Sequence, residues 1–413
     1  MLNYIERNNI LNSCQYGFRK NLSTSHALLD QFQYLYDSLD DGNLVFSVFL
    51  DFRKAFDSLD HNILFSKLQH YGFRGTVLSL IKSYLSDRKQ YSFVNGVSSG
   101  YCNITHGVPQ GSNLGPLLFL IFINDLPNSS SLFKFILFAD DSTLSTCLPK
   151  KAIDIPQYVE IINNELDEVN KWILSNKICI NTEKTIYILF SYRSTVDFPP
   201  IFIGRSPIER SASLKFLGVM IDEHLTFINH VQYISKKISR SVGILNKLKF
   251  YLPIEALKSI YSAFILPYLN YAIEIWYAGY KNVTERIFIL QKKAIRAVNN
   301  LDFNSHTSNS FLEMKTLKVE DLHKFKISMI MYFAANNEGY DFLSKRLTIN
   351  NHIYSTRNSN LFILPRYKLA KSQRSALYFG MKLSNNLLNH HFQLSLSMYK
   401  NLIKCHFLSQ YSS

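Results

Sequence analysis

Three carboxylates in this chain stand where divalent cations could be held. The apolar run Leu44–Leu50 stops abruptly at Asp51, and a second run, Phe133–Ala139, stops at Asp140 and Asp141. Mg²⁺ demands hard oxygen ligands, so carboxylates on rigid strand ends suit it. Two such ends lying side by side could share a pair of ions. One ion would activate a hydroxyl, and the other would hold a triphosphate and its departing pyrophosphate. Asp also marks ordinary strand turns, so these two places alone leave both readings open. Lys184 could act as a general acid, or be a plain surface lysine. Arg19 and Lys20 suit phosphate oxygens as well as they suit a solvated surface. Gly107, Pro109, Gln110 and Gly111 form a loop that enters a helix. Glycine there permits close backbone approach, and Gln110 carries both a donor and an acceptor; an ordinary helix entry has the same make-up.

These residues need a scaffold. Leu44–Leu50 and Phe133–Ala139 read as buried strands, as do Ile186–Phe190 and Leu214–Ile221. Helices are expected over Asn62–His70, Leu114–Leu126 and Tyr158–Leu174, the last with Val159, Ile162, Leu166 and Val169 on one face. After Asp222 the pattern turns helical. Val231, Ile234, Ile238, Val242, Leu245 and Leu248 recur every three or four residues. Further helices are expected over Glu255–Leu266 and Thr284–Val298, and Asn350–Pro365 reads as loop. The mixture predicts an α+β lobe followed by a helical region.

Composition narrows the partners. Forty-five basic against 31 acidic residues give a net charge of +14 over 413 residues, which favours a polyanion: nucleic acid or an anionic membrane surface. The longest apolar run, Leu117–Ile123, is far too short to span a bilayer. A hydrophobic fraction of 47% supplies a sizeable core. The five cysteines are scattered with no C-x-x-C spacing, and the first residues carry no signal-peptide pattern. An intracellular setting is expected, with nucleus and cytoplasm undecided.

Longer stretches around these residues resemble the ordered motifs of reverse transcriptases. FLDFRKAFDSLDH (Phe49–His61) resembles motif A, HGVPQGSNLGPLLFLIFINDLP (His106–Pro127) motif B, and FADD (Phe138–Asp141) motif C. QYGFRKNLSTSHALL (Gln15–Leu29) looks like the finger motif that precedes motif A, NTEKT (Asn181–Thr185) like motif D, and FLGVMID (Phe216–Asp222) like motif E. The set is most similar to non-LTR (LINE-type) retrotransposon polymerases, especially the jockey-like group. Group II intron maturases and telomerase-type polymerases share the fold but match motif B and the region after Asp222 less well.

The resemblance implies an RNA-directed DNA polymerase, a nucleotidyltransferase that extends a DNA primer on an RNA template with dNTPs. Its cofactor would be two Mg²⁺ ions, with Mn²⁺ able to substitute. Asp51 and Asp140 would be the principal metal ligands, with Asp141 beside them. Phe56 falls where the family places an aromatic gate against a 2′-hydroxyl; by chemistry alone it also reads as a core phenylalanine. Arg19, Lys20, Gln110 and Gly111 would contact substrate, and Lys184 would serve as the acid.

The implied architecture is a right hand. Residues 1–226 would form an α+β palm, its antiparallel sheet carrying the aspartates, with partial fingers. Residues 227–300 would form a helical thumb, and residues 301–413 carry no assigned role. Lys236, Lys237, Arg240 and Lys247 lie off the apolar stripe of the expected thumb helix, with Gly243 among them, and would follow a template–primer duplex. Lys292, Lys293 and Arg296 would extend that track. Only Met1–Cys14 precede the finger motif, and no endonuclease or zinc-knuckle pattern accompanies the polymerase. A truncated copy is therefore expected, with a non-catalytic nucleic-acid-binding remnant as the alternative.

Overall fold

Six apolar residues and one serine form β1 (Leu44–Leu50), which lies inside a six-stranded sheet. The structure is a computed structural model and describes residues 1–149, 154–192, 197–277, 281–350, 361–387 and 391–412. The chain divides into two compact units. Unit 1 comprises Met1–Ala27 and Gly42–Ala212; unit 2 comprises Leu28–Asp41 and Ser213–Ser413.

In unit 1, four short strands follow β1: β2 (Lys89–Gln90), β3 (Phe93–Val94), β4 (Val97–Ser98) and β5 (Cys102–Asn103). They pair as two nested antiparallel hairpins, β2 with β5 and β3 with β4. Then come β6 (Lys134–Phe138), β7 (Asp141–Leu148), β8 (Ile186–Phe190), β9 (Ile201–Ile203) and β10 (Ser206–Arg210). The main sheet runs β6-β7-β1-β8-β10-β9. Around β1 it is antiparallel, but β10 joins β8 in parallel, so the sheet is mixed rather than wholly antiparallel.

The helices of this part are α1 (Leu2–Arg7), α2 (Thr24–Asp40, whose first turn belongs to unit 1), α3 (His61–His70), α4 (Gly75–Leu85), α5 (Leu114–Ile123) and α6 (Ile155–Ser175). One sheet face meets an apolar layer: Phe46, Val48 and Leu50 of β1 join Leu144 and Leu148 of β7 and the Val159, Ile162, Leu166, Val169 stripe of α6 in one core. Each such side chain contributes about 1.5–3 kcal/mol by leaving water. Leu118–Ile123 are at most 1% exposed, so α5 is buried all round at its C-terminal end. It ends at Ile123, short of the expected Leu126. Pro127 takes the chain into a 3₁₀ turn, because proline cannot supply the N–H a helix needs.

Unit 2 opens with β11 (Ser213–Phe216) and β12 (Val219–Asp222), an antiparallel hairpin. The expected single strand Leu214–Ile221 is thus two strands. Leu217 and Gly218 both have positive φ (41° and 83°), as the tight turns of hairpins require. The apolar residues flanking the turn disguise it in the sequence. Helices follow: α7 (Ile228–Leu248), α8 (Ile254–Phe264), α9 (Leu266–Asn270), α10 (Ile273–Trp276), α11 (Lys281–Val298), α12 (Ser308–Glu313), α13 (Val319–Ala335), α14 (Asp341–Ser344), α15 (Ala376–Leu387) and α16 (Leu396–Ser409).

The rest of α2 is fastened into this unit. The Asp37 carboxylate accepts from the Tyr367 hydroxyl at 2.6 Å and pairs with Arg346, while Asp40 accepts from the backbone N–H groups of Lys368 and Leu369. Of the expected loop Asn350–Pro365, residues 351–360 lie outside the described residues. Among the described residues no helix is long and apolar enough to cross a membrane.

Candidate active site

The register of β1 against β7 brings the acidic ends together. Leu44 to Leu50 pair with Leu148 to Ser142, so one further step sets Asp51 beside Asp141. Strand side chains alternate between faces, which puts both on the side opposite the Phe46–Val48–Leu50 core. On that same side, further down the strands, Ser47 and Ser145 share a 2.7 Å hydrogen bond while fully buried. Asp140 occupies the β6–β7 turn, since Phe138 pairs directly with Asp141.

Asp140 and Asp141 feel the charges around them. Partial desolvation pushes the Asp140 carboxyl above its ordinary value; the Asp51 charge adds to this, and a backbone hydrogen bond partly opposes it. Asp141 is raised by desolvation and then by the charges of Asp140 and Asp51. Like charges disfavour one another's ionised form, so this sheet end holds an excess of negative charge.

The turn that carries Asp140 is braced from the N-terminal segment. Ala139 has φ 56°, a left-handed conformation unusual for a residue with a side chain. The Gln15 side-chain oxygen accepts from the Ala139 N–H at 3.1 Å and from the Gly17 N–H at 2.8 Å. Tyr16 N–H donates to the Leu137 carbonyl, and Leu137 N–H donates to the Cys14 carbonyl. A Cβ on Gly17 would lie 2.4 Å from the Ala139 nitrogen, so only glycine allows this approach. Arg19 secures the same segment, its Nη1 donating to the Asn12 and Gln15 carbonyls at 3.0 and 3.1 Å. Lys20 is exposed.

Asp51 is tied on its other side to Asn181–Thr185. Its N–H donates to the Thr185 hydroxyl, and its carbonyl accepts from the Asn181 N–H at 2.8 Å. Asp51 and the exposed Lys184 line one open cleft of about 610 Å³, with Arg53, Lys54, Asp57 and Glu183 also on its wall.

The loop before α5 closes on the 3₁₀ turn Ala55–Asp57. Gly107 N–H donates to the Leu59 carbonyl and Val108 N–H to the Phe56 carbonyl, both at 2.8 Å. Gly107 has φ 81°, and a Cβ there would lie 2.7 Å from the Asp57 backbone. Gln110 Nε2 donates to both carboxylate oxygens of Asp57 at 2.9 and 3.1 Å. Gly111 has φ 78° with open space around it. Phe56 is half-buried, its ring stacked 4.5 Å from Phe119 and edge-on to Phe18 at 6.5 Å.

Thus Asp51, Asp140 and Asp141 converge, Lys184 shares a cleft with Asp51, and Phe56 and Gln110 meet through the turn at Asp57. Reading the sequence gave no separate role to Gln15, Asp57 or Thr185. Their signal was weak: each lay inside a quoted motif, but its task is to hold another residue's backbone or side chain.

In unit 2 the four cations of α7 do not form one group. Lys236, Arg240 and Lys247, spaced by four and seven, share an exposed face. Lys237 is half-buried, with its Nζ 5.8 Å over the Tyr233 ring, as is Lys215 Nζ from β11.

The profile of the family described as "Reverse transcriptase (RNA-dependent DNA polymerase)" matches residues 1–221, more than half of the chain. The chain belongs to the reverse transcriptase family. Among curated relatives of this chain is the probable RNA-directed DNA polymerase from transposon BS of Drosophila melanogaster. It is 28% identical over 337 residues, covering 76% of this chain and 36% of the relative. The RNA-directed DNA polymerase from mobile element jockey of Drosophila funebris is also 28% identical, over 74% of this chain and 34% of its own length. These relatives bear out the resemblance to jockey-like non-LTR elements. The chain spans about a third of their length. Among solved structures, telomerase from Candida albicans with a fragment of telomeric RNA aligns over 82% of this chain and 51% of its own, at 15% identity and a TM-score of 0.43.

Proposed function

We propose that this chain is the polymerase core of a non-LTR retrotransposon enzyme that extends a DNA primer on an RNA template with dNTPs. The observation that carries the reading is the convergence of Asp51, Asp140 and Asp141 at one sheet end, where desolvation, and then the neighbouring charges, raise two of the three. Unit 1 would serve as palm and fingers, and α7 with its neighbours as thumb.

Among the described residues no three Asp, Glu, His or Cys side chains form a ready-made metal cage. The donor set nonetheless fits Mg²⁺, which is usually held by one or two carboxylates plus substrate phosphates and water. Asp51 and Asp140 would be the principal holders, with Asp141 adjacent, and a cation there would offset the excess negative charge. Bound there, two Mg²⁺ ions, or Mn²⁺ in their place, would activate the primer 3′-hydroxyl and neutralise the departing pyrophosphate.

The protein's own groups supply the rest. Lys184, on the wall of the cleft beside Asp51, donates a proton to pyrophosphate. Lys20 and the remaining N–H groups of Arg19 contact the triphosphate. The Phe56 ring, fixed by Phe119, crowds a 2′-hydroxyl and so selects deoxynucleotides. Gln110, clamped by Asp57, and the unobstructed Gly111 support the nascent base pair. Lys236, Arg240 and Lys247 follow the duplex backbone without reading sequence, and Lys237 lends charge from the flank.

The test is primer extension on an RNA template with Mg²⁺, comparing the chain with Asp140→Ala. The substitution should lower extension by about 100- to 1,000-fold, as loss of a group stabilising transition-state charge does. Extension that survives it rules out this site. A chain that binds an RNA–DNA hybrid but never extends it would be a non-catalytic remnant.

A further inference from the structure

We infer that the groove between α7 and α11 binds an unpaired nucleotide segment, a single-strand site separate from the outward cationic face of α7. This rests on the nucleic-acid reading above and adds a second binding mode to it. The groove has a volume of about 430 Å³ and is walled by Gly243, Asn246 and Lys249 of α7, Lys293 and Arg296 of α11, and Phe303 just beyond. That volume lies in the range of small-ligand pockets and suits roughly one nucleotide.

The wall has the chemistry of a single-strand site. Lys249, Lys293 and Arg296 are three cations, and no acidic residue lines the groove. The Phe303 ring is 74% exposed, with Lys293 Nζ 5.9 Å from its centre, so an aromatic face and a phosphate-binding charge are neighbours. Arg296 Nε donates to the Ser305 carbonyl at 2.9 Å, which ties down the segment carrying Phe303. At Gly243 nothing lies within 4 Å of where a Cβ would stand, leaving the backbone open to a ligand. Asn246 supplies donors and an acceptor for a base edge.

An unpaired base exposes the flat face that stacks on an aromatic ring, whereas a duplex hides its bases inside the stack. Helical spacing sets the two sites side by side, with Gly243 at their border. Val242, Asn246 and Lys249 face the groove, while Lys236, Arg240 and Lys247 occupy a neighbouring outward stripe.

The experiment is fluorescence anisotropy on the whole chain with labelled oligouridylate of about 12 nucleotides, within the usual single-strand site sizes. Oligodeoxythymidylate and an RNA–DNA hybrid of equal length serve as the comparison probes. Phe303→Ala should weaken binding to the single strand by roughly 5- to 150-fold, the effect of losing one base–aromatic stack. Hybrid affinity should stay within about twofold, and Phe303→Tyr should keep the single-strand affinity. Arg240→Gln with Lys247→Gln should show the reverse pattern. Phe303 is exposed, so an unchanged melting midpoint checks that the fold survives. The two single-strand probes distinguish an RNA from a DNA ligand.

Unchanged oligonucleotide binding in Phe303→Ala overturns the proposal, as do an equal fall for single strand and hybrid, or no single-strand binding by the parent chain. Because no primer is extended here, a chain that binds oligouridylate yet fails to polymerise would sink the catalytic reading and leave this one standing.

Discussion

The acidic sheet end of unit 1 and the basic helices of unit 2 are built on opposite principles. At the sheet end the charges sit on backbone that is fixed atom by atom. Ala139 is held left-handed by Gln15, Asp51 is pinned through its N–H and carbonyl, and Gly107 lies against Asp57. On α7, Lys236, Arg240 and Lys247 are exposed side chains on a regular helix, positioned only by helical spacing. The proposed cation site would need rigid backbone, whereas the proposed phosphate track would need only charge in roughly the right place.

The difference can be broken from either side. Short of removing a carboxylate, the largest effect should come from loosening the backbone that holds the rigid site. Gln15→Met removes the acceptor that holds the Ala139 and Gly17 N–H groups. It should cut kcat of primer extension by about 10- to 100-fold, as loss of an orienting partner does. KM for dNTP should change little, and Gln15→Glu should recover part of the rate because the acceptor returns. A rate within twofold of the parent would mean that the turn needs no brace.

A smaller effect is expected on the other side. Arg240→Gln together with Lys247→Gln should weaken hybrid binding by about tenfold and lower the slope of log affinity against log salt by about 1 per lost phosphate contact. Thermal stability should not change. A loss of stability, or an unchanged salt slope, would show that the stripe is not a phosphate track.

The smallest effect concerns stability and pH. Asp140 has its pKa raised in the fold, so between its ordinary and raised values the native state binds more protons than the unfolded one. Its contribution to stability is therefore greatest at acid pH and falls as pH rises through that window. Metal-free Asp140→Asn should thus melt higher than the parent at neutral pH and lose this advantage in acid. A lower midpoint at neutral pH would mean that desolvation and the Asp51 charge do not disfavour the ionised Asp140.

The same contrast explains what could be read from the chain. β1 and β8 were legible to the residue, because short apolar runs ended by polar residues leave little choice of boundary. The two acidic turns were legible for the same reason. The β11–β12 hairpin was not, because Leu217 carries no turn signal and Gly218 alone had to supply one. Nor was the binding of α2 into unit 2, since its ties from Asp37 and Asp40 reach residues more than 300 positions away, such as Tyr367 and Lys368. The supports of the site escaped for a related reason. Glutamine, threonine and glycine acquire their roles from contacts, and no periodicity announces them. The division of the α7 cations emerged only once Lys237 was seen against Tyr233.

The most direct measurement is a double-mutant cycle on divalent-ion binding, titrating Mn²⁺ or Mg²⁺ by calorimetry into the parent chain, Asp51→Asn, Asp140→Asn and the double variant. If both carboxylates grip the same ions, each single change should abolish most of the affinity and the second should cost little more, a strongly non-additive cycle. Two losses that simply add, or binding that ignores both substitutions, would place these groups at independent positions and contradict the account.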